Sequence, residues 1–213
     1  MLINLTVDEY LKKLASSEPI PGGGSVAALS AALGSALNCM VFSLTFGKKI
    51  YKELDEEQKR IFHNHYEQSK ILVDEFASLV HRDSEIFNDF IKVFKLPKDT
   101  EQEKKYRSEE IKKGYKNALK VPVEILEKSE KLYDFILTAV KYGNKGIIPD
   151  AGVAVIMLHA GVESCLINVK INLNGLQDEE LKKNILNKCN NILDVGEIKK
   201  KQILEILEHR INK

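Results

Sequence analysis

The sequence predicts an all-α fold of seven or eight helices, and three observations carry that prediction. From Ser69 onward Leu72, Phe76, Leu79, Asp83, Ile86, Phe90 and Val93 follow one another in steps of three and four, the apolar stripe of a helix packed along its length. Thr6 with Glu9, and Thr100 with Glu103, form capping boxes, in which each side chain satisfies a backbone amide that the first helical turn leaves free. Nowhere does the period-two alternation of a strand or a strand–helix–strand alternation appear.

Taken in order, the first helix starts at the Thr6 capping box, with Leu5 and Tyr10 as its hydrophobic staple, and runs to about Ser16 before Pro19 and Pro21 close it. Pro21-Gly22-Gly23-Gly24-Ser25 is then a turn whose glycines admit backbone angles closed to other residues and let main chain approach a ligand. Ser25 is expected as N-cap of a central helix from Val26, ending before Gly47. Gly24, Ala28, Ala32 and Ala36, with Ala27, Ala31 and Ser35 beside them, form ridges of small residues that allow close packing of another helix. A long amphipathic helix follows from Asp55 to about Lys95, and another from Thr100 to about Lys120. Pro122 breaks or kinks the chain before a helix from Val123 to Tyr142, which Gly143 stops. Asp150 is expected as N-cap of a helix from Ala151 to about Asn172, ended by Gly175. Asp178 caps a helix to about Leu193, and a last helix runs from Glu197 to Ile211.

A chain of 213 residues supports one domain, read as 1–213, with a substantial core. Its 32 basic and 31 acidic residues nearly cancel, so no global field draws it to nucleic acid or to an anionic membrane. Cys39, Cys165 and Cys189 are odd in number, far apart and without ligand spacing, which suits a reducing cytoplasm and gives no zinc motif. His63 and His65 stand two apart on a helix and form no metal pair. The uncharged run from Val26 to Phe46 has the length of a membrane span. Its serines, asparagine and alanines argue against one, and no second span of like quality is expected, because Asp150 to Val169 holds His159 and Glu163. His159 reads as a bonded core histidine.

Asp83 is the strongest candidate for chemistry. A carboxylate on an apolar stripe is either bonded to a serine or lysine of a neighbouring helix, the commoner outcome for such a pattern, or desolvated, in which case its pKa rises and it becomes able to give and take a proton near neutrality. His81 lies two positions away, about 200° around the helix, beside any site on that flank. Ala160, Ser164, Asn168 and Asn172 form a small, polar stripe at four-residue spacing on an otherwise apolar helix, which serves either to satisfy neighbouring backbone or to line a pocket. Arg107 is kept as an anion contact. The glycine turn has no P-loop lysine and follows a helix, which excludes a nucleoside-triphosphate or dinucleotide site.

Taken together, Pro21-Gly22-Gly23-Gly24-Ser25-Val26-Ala27-Ala28, Leu44 to Lys49, Asp83-Ser84-Glu85-Ile86-Phe87, Gly143-Asn144 with Asp150, and Asn168-Val169-Lys170-Ile171-Asn172-Leu173 resemble the cyclodeaminase domain of formiminotransferase-cyclodeaminase. The related stand-alone cyclodeaminases and methenyltetrahydrofolate cyclohydrolases share the pattern. The resemblance covers nearly the whole chain and implies a free-standing, cytoplasmic, homodimeric, metal-free and cofactor-free enzyme of folate one-carbon metabolism. Its reaction is either conversion of 5-formiminotetrahydrofolate to 5,10-methenyltetrahydrofolate and ammonia, or hydration of the methenyl compound. It also implies Asp83 as proton shuttle, with Asp150 and His81 as further catalytic candidates. Pro21, Gly22, Gly23, Gly24, Ser25, Asn144, Asn168 and Asn172 are implied at the pterin, and Lys48, Lys49 and Arg107 at the glutamate carboxylates. The chain departs from the family pattern at His81, where an acid is common, and at Pro149, where serine is common; both departures lean toward hydrolysis or another substrate. A helical scaffold whose glycines only permit close packing is the rival from outside enzymology.

Overall fold

The computed structural model describes residues 1–212. Among them are eight α-helices and no strand: α1 Val7–Leu14, α2 Gly23–Ser43, α3 Lys49–Lys52, α4 Glu56–Val93, α5 Glu101–Ala118, α6 Lys120–Tyr142, α7 Ile148–Leu173 and α8 Glu179–Ile211. Both expected capping boxes form, and Asp55 with Gln58 makes a third at the start of α4.

The central helix is α2, and its small residues decide how it packs. A β-carbon on Gly34 would lie 2.8 Å from the Ala154 carbonyl oxygen, and one on Gly161 would lie 2.9 Å from that of Ala27. These contacts, with Gly23 beside Asn168, run down one helix as they run up the other, so α2 and α7 are antiparallel neighbours with backbones nearly touching. On its other side α2 meets α4, also antiparallel. The Ser25 hydroxyl donates to the Val80 carbonyl at 2.6 Å, the Ser35 hydroxyl to the Ser69 carbonyl at 2.9 Å, and the Asn38 amide to the Ser69 hydroxyl at 2.9 Å. All three side chains are buried and each donates to a partner on α4, while the Asn38 Oδ1 is left without one.

Several local expectations are corrected. Ser25 does not cap α2: the N-cap is Gly22, in an extended conformation, and Ser25 is already the third helical residue. No glycine of the turn has positive φ; Gly47, at φ 76°, is the one described residue that does. Asp150 likewise sits inside the first turn of α7, which begins at Ile148 with Pro149 as its second residue, where a missing N–H costs nothing. Pro122 falls in the first turn of α6 for the same reason, and the chain break lies before it at Leu119. The two expected C-terminal helices are one, α8. Gly196 is helical inside it, and its lack of a side chain makes room for Tyr133, whose hydroxyl a β-carbon there would meet at 2.7 Å.

The sequence also gave no warning of α3, whose Tyr51 stacks edge-on against Phe46 with ring centroids 5.1 Å apart. Finally, α7 is as long and apolar as α2, so the chain has two helices with the length and composition of a membrane span instead of one; more than half of each apolar window is buried inside the fold. His159 is the bonded core histidine expected: Tyr133 lies 2.7 Å from Nδ1 and Glu197 lies 2.8 Å from Nε2. The three cysteines are free thiols.

Candidate functional site

Asp83 lies against the N-terminus of α2. A β-carbon on Gly24 would stand 2.2 Å from Asp83 Oδ1 and 2.5 Å from Cγ, so the carboxyl group occupies the space that any side chain at position 24 would fill. Around it is a cavity of about 310 Å³. The segment Pro19 to Gly24 forms one wall; Ile86 and Phe87 of α4, the Ala118–Pro122 junction, and Asn168, Ile171 and Asn172 of α7 form the others. Burial pushes the Asp83 carboxyl up to about 6, while the Ser25 backbone amide, aimed at it, pulls the other way. The group is therefore held near the point where it can both accept and release a proton. Ser25 and Ser84 hydroxyls pair at 2.9 Å directly behind it. Tyr10 of α1, buried with no partner for its hydroxyl, has its own pKa raised, first by burial and then by the Asp83 charge.

Of the sequence candidates, Gly22, Gly23, Gly24, Asp83, Asn168 and Asn172 line this one cavity, with buried Pro21 and Ser25 in the adjoining backbone. The others lie elsewhere in the chain's own fold. His81 faces Glu85 at 3.3 Å and is not part of the lining. Asp150 is eighteen residues before Asn168 on α7, about 27 Å away at 1.5 Å per residue. Asn144, whose backbone amide donates to the Thr45 hydroxyl at 2.9 Å, and Lys48 and Lys49 share that opposite end of the bundle. There Arg210 of α8 holds the loop, donating to the carbonyls of Val140 at 2.6 Å and Gly143 at 2.8 Å. Arg107 donates to the Phe94 carbonyl at 3.2 Å and lines a separate cavity of about 420 Å³ with Lys98, Lys104 and Lys112. Lys104 is occupied by Glu101 at 2.6 Å.

The sequence reading missed Ile86, Phe87, Ala118, Val121, Pro122 and Ile171 as walls. Phe87 and Ile171 carry a visible signal, since both are large apolar side chains left 41% and 61% exposed. A larger groove, of about 920 Å³, runs between α4, α6 and the start of α8. Its acids are already engaged: Glu75 with Lys128, Glu124 with Arg82, and Glu127 with Lys188. It offers no unpaired acid for proton transfer, and the Asp83 cavity is the better candidate despite its size.

The comparisons with known proteins bear on the family and the fold. The family model described as Formiminotransferase-cyclodeaminase matches residues 6–191. A methenyltetrahydrofolate cyclohydrolase from Methylorubrum extorquens is 34% identical over 209 residues, covering 98% of this chain and 99% of that protein. The formimidoyltransferase-cyclodeaminase of Gallus gallus is 30% identical, also over 98% of this chain, which spans 38% of that longer protein. The crystal structure of formiminotetrahydrofolate cyclodeaminase from Thermotoga maritima superposes with a TM-score of 0.85 at 25% identity, covering 98% of both chains. On its matched length, its identity to these relatives and its shared helical architecture, the chain belongs to the formiminotransferase-cyclodeaminase family of enzymes.

Proposed function

We propose that the protein is a formiminotetrahydrofolate cyclodeaminase, converting 5-formiminotetrahydrofolate to 5,10-methenyltetrahydrofolate and ammonia. The observation that carries this reading is Asp83, a carboxyl group of raised pKa seated against Gly24 in a largely apolar cavity. In the reaction N10 attacks the formimino carbon and loses its proton, the formimino nitrogen gains protons, the bond from that carbon to the nitrogen breaks, and ammonia leaves. One carboxyl group can take the first proton and deliver it to the leaving nitrogen, with one further proton drawn from solvent; its anion then faces the cationic methenyl product. No oxidation state changes, so the chemistry calls for no redox cofactor.

The second reading is cyclohydrolase, in which water adds to the methenyl carbon and the ring opens to 10-formyltetrahydrofolate. It is favoured by the cyclohydrolase relative, which matches this chain from end to end. Supplying each folate separately separates the two. Methenyl product with equimolar ammonia supports the first, hydrolysis of the methenyl compound without formimino turnover supports the second, and inertness toward both overturns the assignment.

We place the tail carboxylates at Arg107 with Lys98 and Lys112: eleven residues of α5 separate Arg107 from Ala118 at the cavity wall, about 16 Å.

A homodimer in the cytoplasm completes the proposal. Leu33 and Met40 of α2, its C-cap Leu44, and Val153, Ile156, Ile167 and Ile171 of α7 are all exposed, and because the two helices are antiparallel neighbours they form one apolar face. Exposed Glu163 and Lys170 on α7 suit a protein interface better than lipid. A twofold axis that reverses the helix direction would set the Lys48, Asn144 and Asp150 end of one copy beside the Asp83 end of the other. Ile156→Asp is expected to yield single copies by solution mass measurement with turnover lost; a variant of unchanged mass would remove this face as the interface.

A further inference from the structure

The two asparagine side chains lining the Asp83 cavity each keep an amide oxygen free to accept a hydrogen bond. The cavity's polar side chains are Asp83, Asn168 and Asn172, the rest being Pro, Gly, Ala, Val, Ile and Phe. An asparagine amide has both a donor and an acceptor end, and which end faces a site depends on what holds the other. Here each nitrogen is anchored by one of its two N–H groups to a carbonyl. Asn168 Nδ2 donates to the Ser164 carbonyl at 2.8 Å, one turn back on α7, and Asn172 Nδ2 donates to the Ala118 carbonyl at 3.2 Å, across the α5–α6 junction. A backbone carbonyl accepts and cannot donate, so neither amide can turn its oxygen toward that partner without leaving two acceptors face to face. Each Oδ1 is left with no protein partner, and neither is sealed from solvent.

Resting on the folate reading above, we propose that Asn168 and Asn172 determine specificity by accepting hydrogen bonds from the donor edge of the substrate's bicyclic ring, Asn168 from its 2-amino group and Asn172 from the adjacent N3–H. The four-residue spacing puts the two oxygens on one face of α7, one turn apart, so that they meet one edge of a flat ring. The edge they select carries hydrogens. A ring with an acceptor or a methyl group at that position leaves the oxygens desolvated and unpaired, which is how a polar site rejects an analogue that fills the same space.

The test is calorimetric binding of 5-formyltetrahydrofolate and of its 2-desamino-2-methyl analogue, in which a methyl group replaces the amino group. The wild-type protein is expected to bind the amino compound about tenfold or more tightly than the analogue. Asn168→Ala is expected to weaken the amino compound by about tenfold and leave the analogue unchanged, closing the gap. The Asn168 side chain bonds only within its own helix, so this variant keeps the fold, and a thermal melt checks that it does. Equal binding of both compounds by the wild type, or an equal loss of both in Asn168→Ala, overturns the inference and leaves the folate reading standing. If the wild type binds neither compound, the inference and the folate reading fall together.

Discussion

Replacing Asp83 by asparagine is expected to lower turnover by about 10²–10⁴-fold, the usual worth of a positioned acid–base group, while the helical content stays the same. Asparagine keeps the shape of the side chain and its contact with the α2 terminus but cannot move a proton. The pH dependence gives a second and independent readout. With its pKa pushed up to about 6, Asp83 should set an acidic limb with a midpoint near that value in the kcat/KM profile, and the limb should be absent from Asp83→Asn.

Stability should respond with a definite sign. The folded-state pKa is raised above the ordinary value of 3.8, so the folded protein binds the proton more tightly than the unfolded chain does. The stabilising contribution is whole below about pH 4 and is lost as the pH rises through 6. Thermal melts between pH 4 and 8 should show wild type losing stability across that window relative to Asp83→Asn. A variant with wild-type turnover, or parallel melting curves, would remove Asp83 from the role given to it.

Gly24→Ala is the second large effect. The new β-carbon would stand 2.2 Å from Asp83 Oδ1, inside any tolerable contact, and the acid is the group that must move. Displacing a catalytic group by an ångström costs about 10²-fold, and a loss of that order is expected, with a shifted acidic midpoint because the carboxyl group leaves its present surroundings. Gly23→Ala is the control one residue away. It is already helical with negative φ, its β-carbon would meet nothing nearer than the Asn168 amide nitrogen at 3.7 Å, and it should change stability by no more than about 0.5 kcal/mol. Steady-state kinetics and melting temperatures on the pair decide the matter: equal behaviour of the two variants would mean that the bare backbone at position 24 is not there for Asp83.

What the sequence could tell follows from the range of each interaction. The Thr6–Glu9 and Thr100–Glu103 boxes were legible because both partners lie within one turn. Asp83 was legible as an acid out of place, since a helical period exposes any charge on its apolar side. The reason for Gly24 was not. Its sequence neighbours suggest an unusual backbone, whereas the group that excludes a side chain there is a carboxylate fifty-nine positions later, brought in by the packing of α4 on α2. The division of the candidates between two ends was equally hidden: in a bundle of antiparallel helices, residues close to opposite ends of one helix look equivalent in a list of motifs. Asn144 and Asp150 appeared to belong with Asn168 for that reason, although the length of α7 separates them.

The near contact of main chains at Gly34 and Gly161 has one more consequence. Two helices joined so tightly slide or part only by breaking many close contacts at once, so the Gly24 rim on α2 and the asparagine rim on α7 behave as a single stiff jaw. Entry and exit of a ligand then fall to the lead-in strip from Pro19 to Gly22 and to the Ala118–Pro122 corner, the parts of the enclosure outside this pair and outside α4, which is itself packed on α2.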